Sequence, residues 1–232
     1  MADKAADLAG PGIGNYEDLA KALPDDYLSA LSHRETMEAL FAVKAYIEEN
    51  LCRELGLMMV QVPLIVDEAS GVNDYLDRDG SRGPVQFHIS NDRDVHPIEA
   101  QIVQAATKWK RVALGQFGMQ PGEGICTDMK AVRKDYFLDH DHSAYVDQWD
   151  WEKVIRPSDR TLDYLTDTVQ RIWRVLHGAS QHALDLFPQL YDPRYPEIPE
   201  ELYVIHAEDL LARYPDLPRK QRETAILQEH PA

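Results

Sequence analysis

Cysteine is nearly absent from this chain of 232 residues, which holds only Cys52 and Cys126. Neither stands in a C-x-x-C pair and both lie among apolar or β-prone neighbours, so the sequence indicates neither a disulfide framework nor a zinc site. A reducing, cytoplasmic setting is the expectation. Basic residues are scarce too. Forty Asp and Glu stand against 24 Lys and Arg, a formal net charge of −16, which argues against nonspecific binding to phosphate backbones or anionic lipid. The one short basic run, Lys108-Trp109-Lys110-Arg111, reads as the solvated edge of a strand. No apolar run approaches membrane-spanning length. The first residues, "MADKAADLAGPGIG", have mixed charge and breakers where a secretion signal has an apolar core. Internal repeats and low-complexity tracts are lacking as well.

What is present is ordinary globular composition, 44% hydrophobic and 28% charged, enough to bury a sizeable core. Residues 1 to about 33 read as an extension, with Gly-Pro-Gly, Pro24-Asp25-Asp26 and a short helix around Tyr16 to Leu23. A helix is expected from about Glu35 to Leu55, where Met37, Leu40, Phe41, Val43, Ile47, Leu51 and Leu55 keep helical spacing. Gly56 sits where a C-cap glycine belongs. Strands are expected over Leu57 to Val66, with Pro63 marking an edge or bulge, over "VQFHIS", and near Trp109 to Phe117, Gly124 to Arg133 and Ala144 to Trp151. Their order suggests antiparallel pairing. From Ser158 the apolar positions run through Leu162, Leu165, Val169, Ile172, Leu176 and Leu186 as a long amphipathic helix capped by Ser158 or Asp159. "LYVIHA" then reads as a strand, and "AEDLLARYP" and "PRKQRETAILQEH" as helices.

Several fragments suggest chemistry and then fail on geometry. His140-Asp141-His142 resembles a metal motif, yet adjacent histidines cannot face one ion together and no further His or Cys lies near, so a solvated loop is the better reading. Ser143 beside His142 has no nucleophile-elbow glycines. Gly122-Glu123-Gly124 lacks the lysine and the following helix of a phosphate loop, and reads as a turn. Arg133 ends the strand row Ile125, Thr127, Met129, Ala131. A guanidinium placed there either holds a carboxylate or phosphate bidentately or makes an edge salt bridge, and the pattern leaves both open. Asp74, in "SGVNDYLD", reads by itself as a turn residue. In "HSAYVDQWDWEKV" alternation puts Tyr145, Asp147, Trp149 and Trp151 on one face and Val146, Gln148, Asp150 and Glu152 on the other.

Taken together, "KWKRVALGQFGMQPGEGICTDMKAVRKD", "HSAYVDQWDWE" and "EDLLARYPDL" closely resemble the ammonia-dependent asparagine synthetases of the asparagine synthetase A type. The resemblance runs from about Glu35 to the end, and the segments "KWKR", "LGQ", "GEG", "MKA.R" and "YVDQWDWE" carry it. It implies an α+β fold similar to the catalytic core of class II aminoacyl-tRNA synthetases, an antiparallel sheet flanked by helices. Residues 34–232 would form one such domain, incomplete because the family's C-terminal strands and much of its ATP site have no counterpart here. The implied chemistry is an AMP-forming ligation: ATP with Mg2+ activates the aspartate carboxylate, and ammonia or another amine displaces AMP.

Carried over by resemblance, Asp74, Arg133 and Gln148 are the expected catalytic positions, with Arg133 on the adenylate phosphate. Lys110, Ser143 and Asp150 are the expected substrate-binding positions, with Asp150 suited to an α-ammonium. No protein-bound metal site is expected. Implied partners are aspartate or an analogue, ammonia or an amine, and a second subunit in a homodimer or hetero-oligomer that covers the unfinished sheet; neither nucleic acid nor membrane is implied. Where the family carries His-Ser-Leu-Ala, this chain has Gln104-Ala105-Ala106-Thr107, and so lacks a serine hydroxyl at Ala105. Two alternatives stand beside the ligase: a catalytically inactive, shortened paralogue that binds an amino acid or a full-length synthetase, and a shortened enzyme with different chemistry on an aspartate-like acid.

Overall fold

The computed structural model describes residues 28–77, 82–90, 97–134, 143–194 and 198–230. The expected helix around Tyr16 to Leu23 and the His140-Asp141-His142 motif lie outside them. The chain divides into two compact units, one built on residues 57–154 and the other on residues 30–56 and 155–232. Among the described residues no helix is long and apolar enough to cross a membrane.

The second unit is helical. Helix α1, His33–Leu55, starts at a capping box in which the Ser32 hydroxyl accepts from the Glu35 N–H and the Glu35 carboxylate accepts from the Ser32 N–H at 2.8 Å. It ends at Gly56 in the left-handed conformation (φ 67°, ψ 50°), as expected of that glycine. The 25-residue helix Leu162–Leu186 lies antiparallel to it: Arg171 donates to the Glu54 carbonyl, Tyr46 stacks on His182, and Gln189 just beyond reaches Glu35. Its N-cap is Thr161, whose hydroxyl accepts from the Tyr164 N–H. Ser158 and Asp159, the expected caps, belong instead to a separate 3-10 turn, in which Asp159 accepts from the Arg156 N–H at 2.9 Å. Short helices Ala207–Arg213 and Arg219–Glu229 follow. "LYVIHA" forms no strand; Leu202 to His206 has no ladder partner, and β propensity without a partner does not make a sheet.

The first unit carries two three-stranded sheets. The expected run Leu57 to Val66 splits into β1, Leu57–Met59, and β2, Ile65–Asp67, on either side of Pro63, which has no N–H to give a ladder. Strand β2 joins β3, Gln86–Ile89, and β4, Ile98–Ile102, with β4 in the middle. The mixed polarity of "IEAQI" hides that strand from a periodicity reading. The other sheet has the order β1, β5 (Gly124–Val132), β6 (Tyr145–Lys153). Strands β5 and β6 pair antiparallel along their full length, whereas β1 runs parallel to β5, against the all-antiparallel expectation. The long connection from β1 to β5 supplies the crossover that parallel pairing requires.

Residues Thr107–Gln116, expected in part as a strand, form helix α2. Trp109, Val112 and Phe117 favour strands individually, but Lys110 and Ala113 are buried three residues apart on one side, a helical spacing. The basic run is therefore not a strand edge, and its Lys110 is fully buried. Beneath α2 lies the face of β5 formed by Ile125, Thr127, Met129 and Ala131, all fully buried, with Ala106, Val62 and Val146 packed against Met129 and Ala131.

Gly124 pairs with Leu57 on one side and Lys153 on the other. A Cβ there would lie 2.5 Å from the Glu152 carbonyl oxygen and 2.9 Å from the Lys153 Cα, both backbone atoms. Gly124→Ala is expected to lower stability by roughly 1–3 kcal/mol through overpacking. A urea midpoint equal to that of the unmodified chain would contradict this.

Candidate functional site

The first unit holds all six expected site residues: Gln148 and Asp150 on β6, Arg133 just past β5, Lys110 on α2, and Asp74 and Ser143 in adjoining loops. Its geometry starts with register: Thr127 pairs with Asp150, Met129 with Gln148 and Ala131 with Val146. Side chains paired this way share a face. Gln148 and Asp150 therefore stand on the same side as Thr127 and Met129, while Trp149 and Trp151 occupy the opposite face across from Asp128 and Cys126. That is the alternation the sequence implied. An open cavity of about 550 Å³ follows the outer edge of β6, lined by Asp147, Gln148, Trp149, Asp150 and Trp151.

Midway along the strands Lys110 Nζ lies 2.5 Å from Asp150 Oδ2. The lysine is fully buried, and the Asp150 carboxylate is the charge partner that meets its ammonium. The Asp150 side chain is 25% exposed and opens to the cavity. The next residue, Arg111, places its Nε 3.6 Å from Glu152 Oε1.

At the far end of the strands the chain draws four segments together. The Arg133 N–H donates to the Ala144 carbonyl at 2.8 Å, which brings Arg133 beside Ser143. Arg133 Nε also reaches the Gln104 carbonyl at 3.4 Å. Gln104 in turn donates its N–H to Asn73 Oδ1 at 3.0 Å and its Nε2 to the Arg82 carbonyl at 3.2 Å. Asn73 is locked further by Gln101 and the Ile102 carbonyl, and Lys108 Nζ donates to the Asn73 carbonyl at 2.9 Å. Ser143 is exposed, and its Oγ accepts from the Tyr145 N–H at 3.2 Å.

Asp74 follows Asn73 directly, and its Oδ2 accepts from the Thr107 N–H at 2.6 Å and the Lys108 N–H at 3.3 Å. Helix α2 starts at Ala106, which has no side chain to cap it. A carboxylate from a loop more than thirty residues away takes that place and meets the positive end of the helix. Asp74→Ala is expected to destabilise the chain by about 0.5–2 kcal/mol and Asp74→Asn by less, since asparagine caps nearly as well. Equal thermal midpoints for Asp74→Ala and the unmodified chain would count against the capping role.

From Thr127 to Arg133 the row spans about 20 Å of strand, with Gln148 between its two ends. Sequence reasoning passed over three buried members: Asn73, Gln104 and Thr127. Thr127 left a signal, being polar in an otherwise apolar alternating row. Asn73 and Gln104 left none, because their burial comes from contacts about thirty residues apart. Among the described residues no group of three or more His, Cys, Asp or Glu side chains gathers as a metal site.

The row holds a buried ammonium–carboxylate pair, Lys110 and Asp150, and a guanidinium, Arg133, at the strand end. The family model for aspartate–ammonia ligase matches residues 34–232. The chain belongs to the aspartate–ammonia ligase family. It is 41% identical over 206 residues to the aspartate–ammonia ligase of Bacillus cereus (strain G9842), and 41% identical over the same length to that of Bacillus mycoides (strain KBAB4). The aspartate–ammonia ligase of Bacillus cytotoxicus is 39% identical. Each match covers 89% of this chain and 60% of the ligase, so the chain spans about 60% of the length of the curated relatives it matches.

Proposed function

We propose that this chain forms the aspartate-recognising part of an ATP-dependent, AMP-forming ligase that activates aspartate, or a close analogue, for amidation by ammonia or another amine. The observation that carries this reading is the buried Lys110–Asp150 pair opening onto the cavity along β6, in a member of the aspartate–ammonia ligase family. In the first step a carboxylate oxygen of aspartate attacks the α-phosphorus of ATP and pyrophosphate leaves. In the second, ammonia attacks the acyl carbon, the bond to the phosphate oxygen breaks, and AMP departs while the nitrogen loses a proton.

Each residue has a task that its chemistry fits. Asp150 receives the α-ammonium of aspartate, and Lys110 beside it meets a substrate carboxylate. Arg133 stabilises the charge that builds on the α-phosphate, where a fixed cation in a sheltered site is worth most. Gln148, between them on the same face, offers an amide donor and acceptor to the reacting carboxyl group. Ser143 lines the strand entry beside Arg133. Asp74 holds the start of α2, and so the placement of Lys108 and Lys110, while remaining close to the Arg133 end. Magnesium is expected to arrive on the nucleotide's phosphates, which it neutralises. The working setting is the cytoplasm, the sheet is of the class II aminoacyl-tRNA synthetase type, and the outer edge of β6 is covered by further strands or by another subunit, since an open nine-residue edge invites pairing.

Calorimetric titration with L-aspartate and with ATP–magnesium, together with pyrophosphate release in the presence of ammonia, tests this. Binding of both ligands with release supports the ligase. Aspartate binding without release favours a binding or regulatory subunit, and no aspartate binding overturns the reading.

A further inference from the structure

Among the described residues, Thr127 Oγ1 is a buried side-chain atom with no hydrogen-bond partner, and it lies beside the Lys110–Asp150 pair. Lys110 lies 2.5 Å from Asp150 Oδ2, and Thr127 stands directly across from Asp150 in the β5–β6 register. Thr127 is the one polar member of the buried row Ile125, Thr127, Met129, Ala131, and none of its surface reaches solvent. Valine fills the same space without leaving a dry hydroxyl, so for stability alone threonine is the worse choice. A polar atom left unsatisfied beside a charged pair in an open site is one held ready for a state the free chain does not show.

We propose that Thr127 is a positioning residue for Asp150 during aspartate binding, an inference that rests on the aspartate site described above. In the free chain Asp150 is held through Oδ2 by Lys110. An incoming α-ammonium competes for that carboxylate and turns it toward the cavity. Cross-strand partners have Cβ atoms about 5 Å apart, which puts a threonine hydroxyl within reach of the opposite carboxylate at the usual O–H···O distance. The hydroxyl donates to the oxygen turned away from the ligand and fixes the plane of the carboxylate. Lys110 does not do this by itself, because its buried stem reaches the group from the α2 side only. The ligand state thus satisfies a donor that the free state leaves unpaired.

Thr127→Val and Thr127→Ser, measured by thermal unfolding without ligand and by calorimetric titration with L-aspartate, test the role. Thr127→Val is expected to raise the thermal midpoint by about 2 °C or more, because it removes an unsatisfied buried group. The same variant is expected to bind aspartate about tenfold more weakly, and Thr127→Ser, which keeps the hydroxyl, to stay within about threefold of the unmodified chain. A merely structural threonine would not give a more stable chain that binds less. An unchanged or lowered midpoint in Thr127→Val overturns the proposal, since the hydroxyl would then have a partner inside the fold. Equal aspartate affinity in Thr127→Val and the unmodified chain overturns it as well. Failure of the unmodified chain to bind aspartate is a different result, which removes the aspartate site itself and this inference with it.

Discussion

Asp150→Ala is expected to lower the unfolding free energy by about 3–5 kcal/mol, the usual cost of leaving one member of a buried ion pair without the other. The size follows from the asymmetry of the pair: Lys110 is fully buried, and Asp150 is the acid that faces its ammonium. Without Asp150 the buried ammonium must draw water into the sheet face or push α2 away from β6. Each costs free energy. Lys110→Met in the same chain removes the stranded charge while keeping an unbranched apolar stem, so the double variant is expected to recover most of the loss. Urea unfolding followed by tryptophan fluorescence reads the right unit, because Trp109, Trp149 and Trp151 all lie within residues 57–154. A loss under about 1 kcal/mol in Asp150→Ala would mean that the pair carries little, as exposed pairs do.

The second large effect is on chemistry. Arg133→Ala is expected to lower pyrophosphate release by a factor on the order of 10²–10³, the range for removing one preorganised group that meets developing charge. Arg133→Lys should recover only part of the rate, since a lysine keeps the charge but loses the planar fork that grips two oxygens. Equal turnover in Arg133→Ala and the unmodified chain would remove Arg133 from the phosphate site.

These two expectations separate roles that look alike in the sequence. Lys110 and Arg133 are both cations on the same side of one sheet. Lys110 is buried against a carboxylate and so bears on stability, whereas Arg133 stands at the strand end and is the expected phosphate contact. Thr127 sits at the other end of the balance, predicted to make the chain less stable and aspartate binding tighter, a common trade where binding groups are held ready.

Much was legible from the residues alone. The apolar spacing and the C-cap glycine of α1 are local signals, and the helix they bound formed as expected, while its capping serine went unread. The 3.6-residue spacing of Leu162 to Leu186 specified a long helix, although its cap moved to Thr161. Strict alternation from Tyr145 to Lys153 separated Gln148 and Asp150 from the tryptophans, and pairing with β5 kept that separation. The repeated motifs from Lys108 to Glu152 carried the family.

Other features were decided only by tertiary contacts. Trp109 to Phe117 became a helix because Asp74 supplies the cap that Ala106 lacks, and because Lys110 and Ala113 bury on one side of it. "LYVIHA" stayed out of a sheet for want of a partner strand, and "IEAQI" entered one because β2 and β3 flank it. Asn73, Gln104 and Arg133 meet through hydrogen bonds between residues about thirty positions apart. By itself the sequence determined periodicity, caps and kinship, because these depend on neighbours within a turn or a few strand positions. Burial of Lys110, the cap on α2 and the dry hydroxyl of Thr127 depend on which distant segments share a face, and only the packed chain decides that.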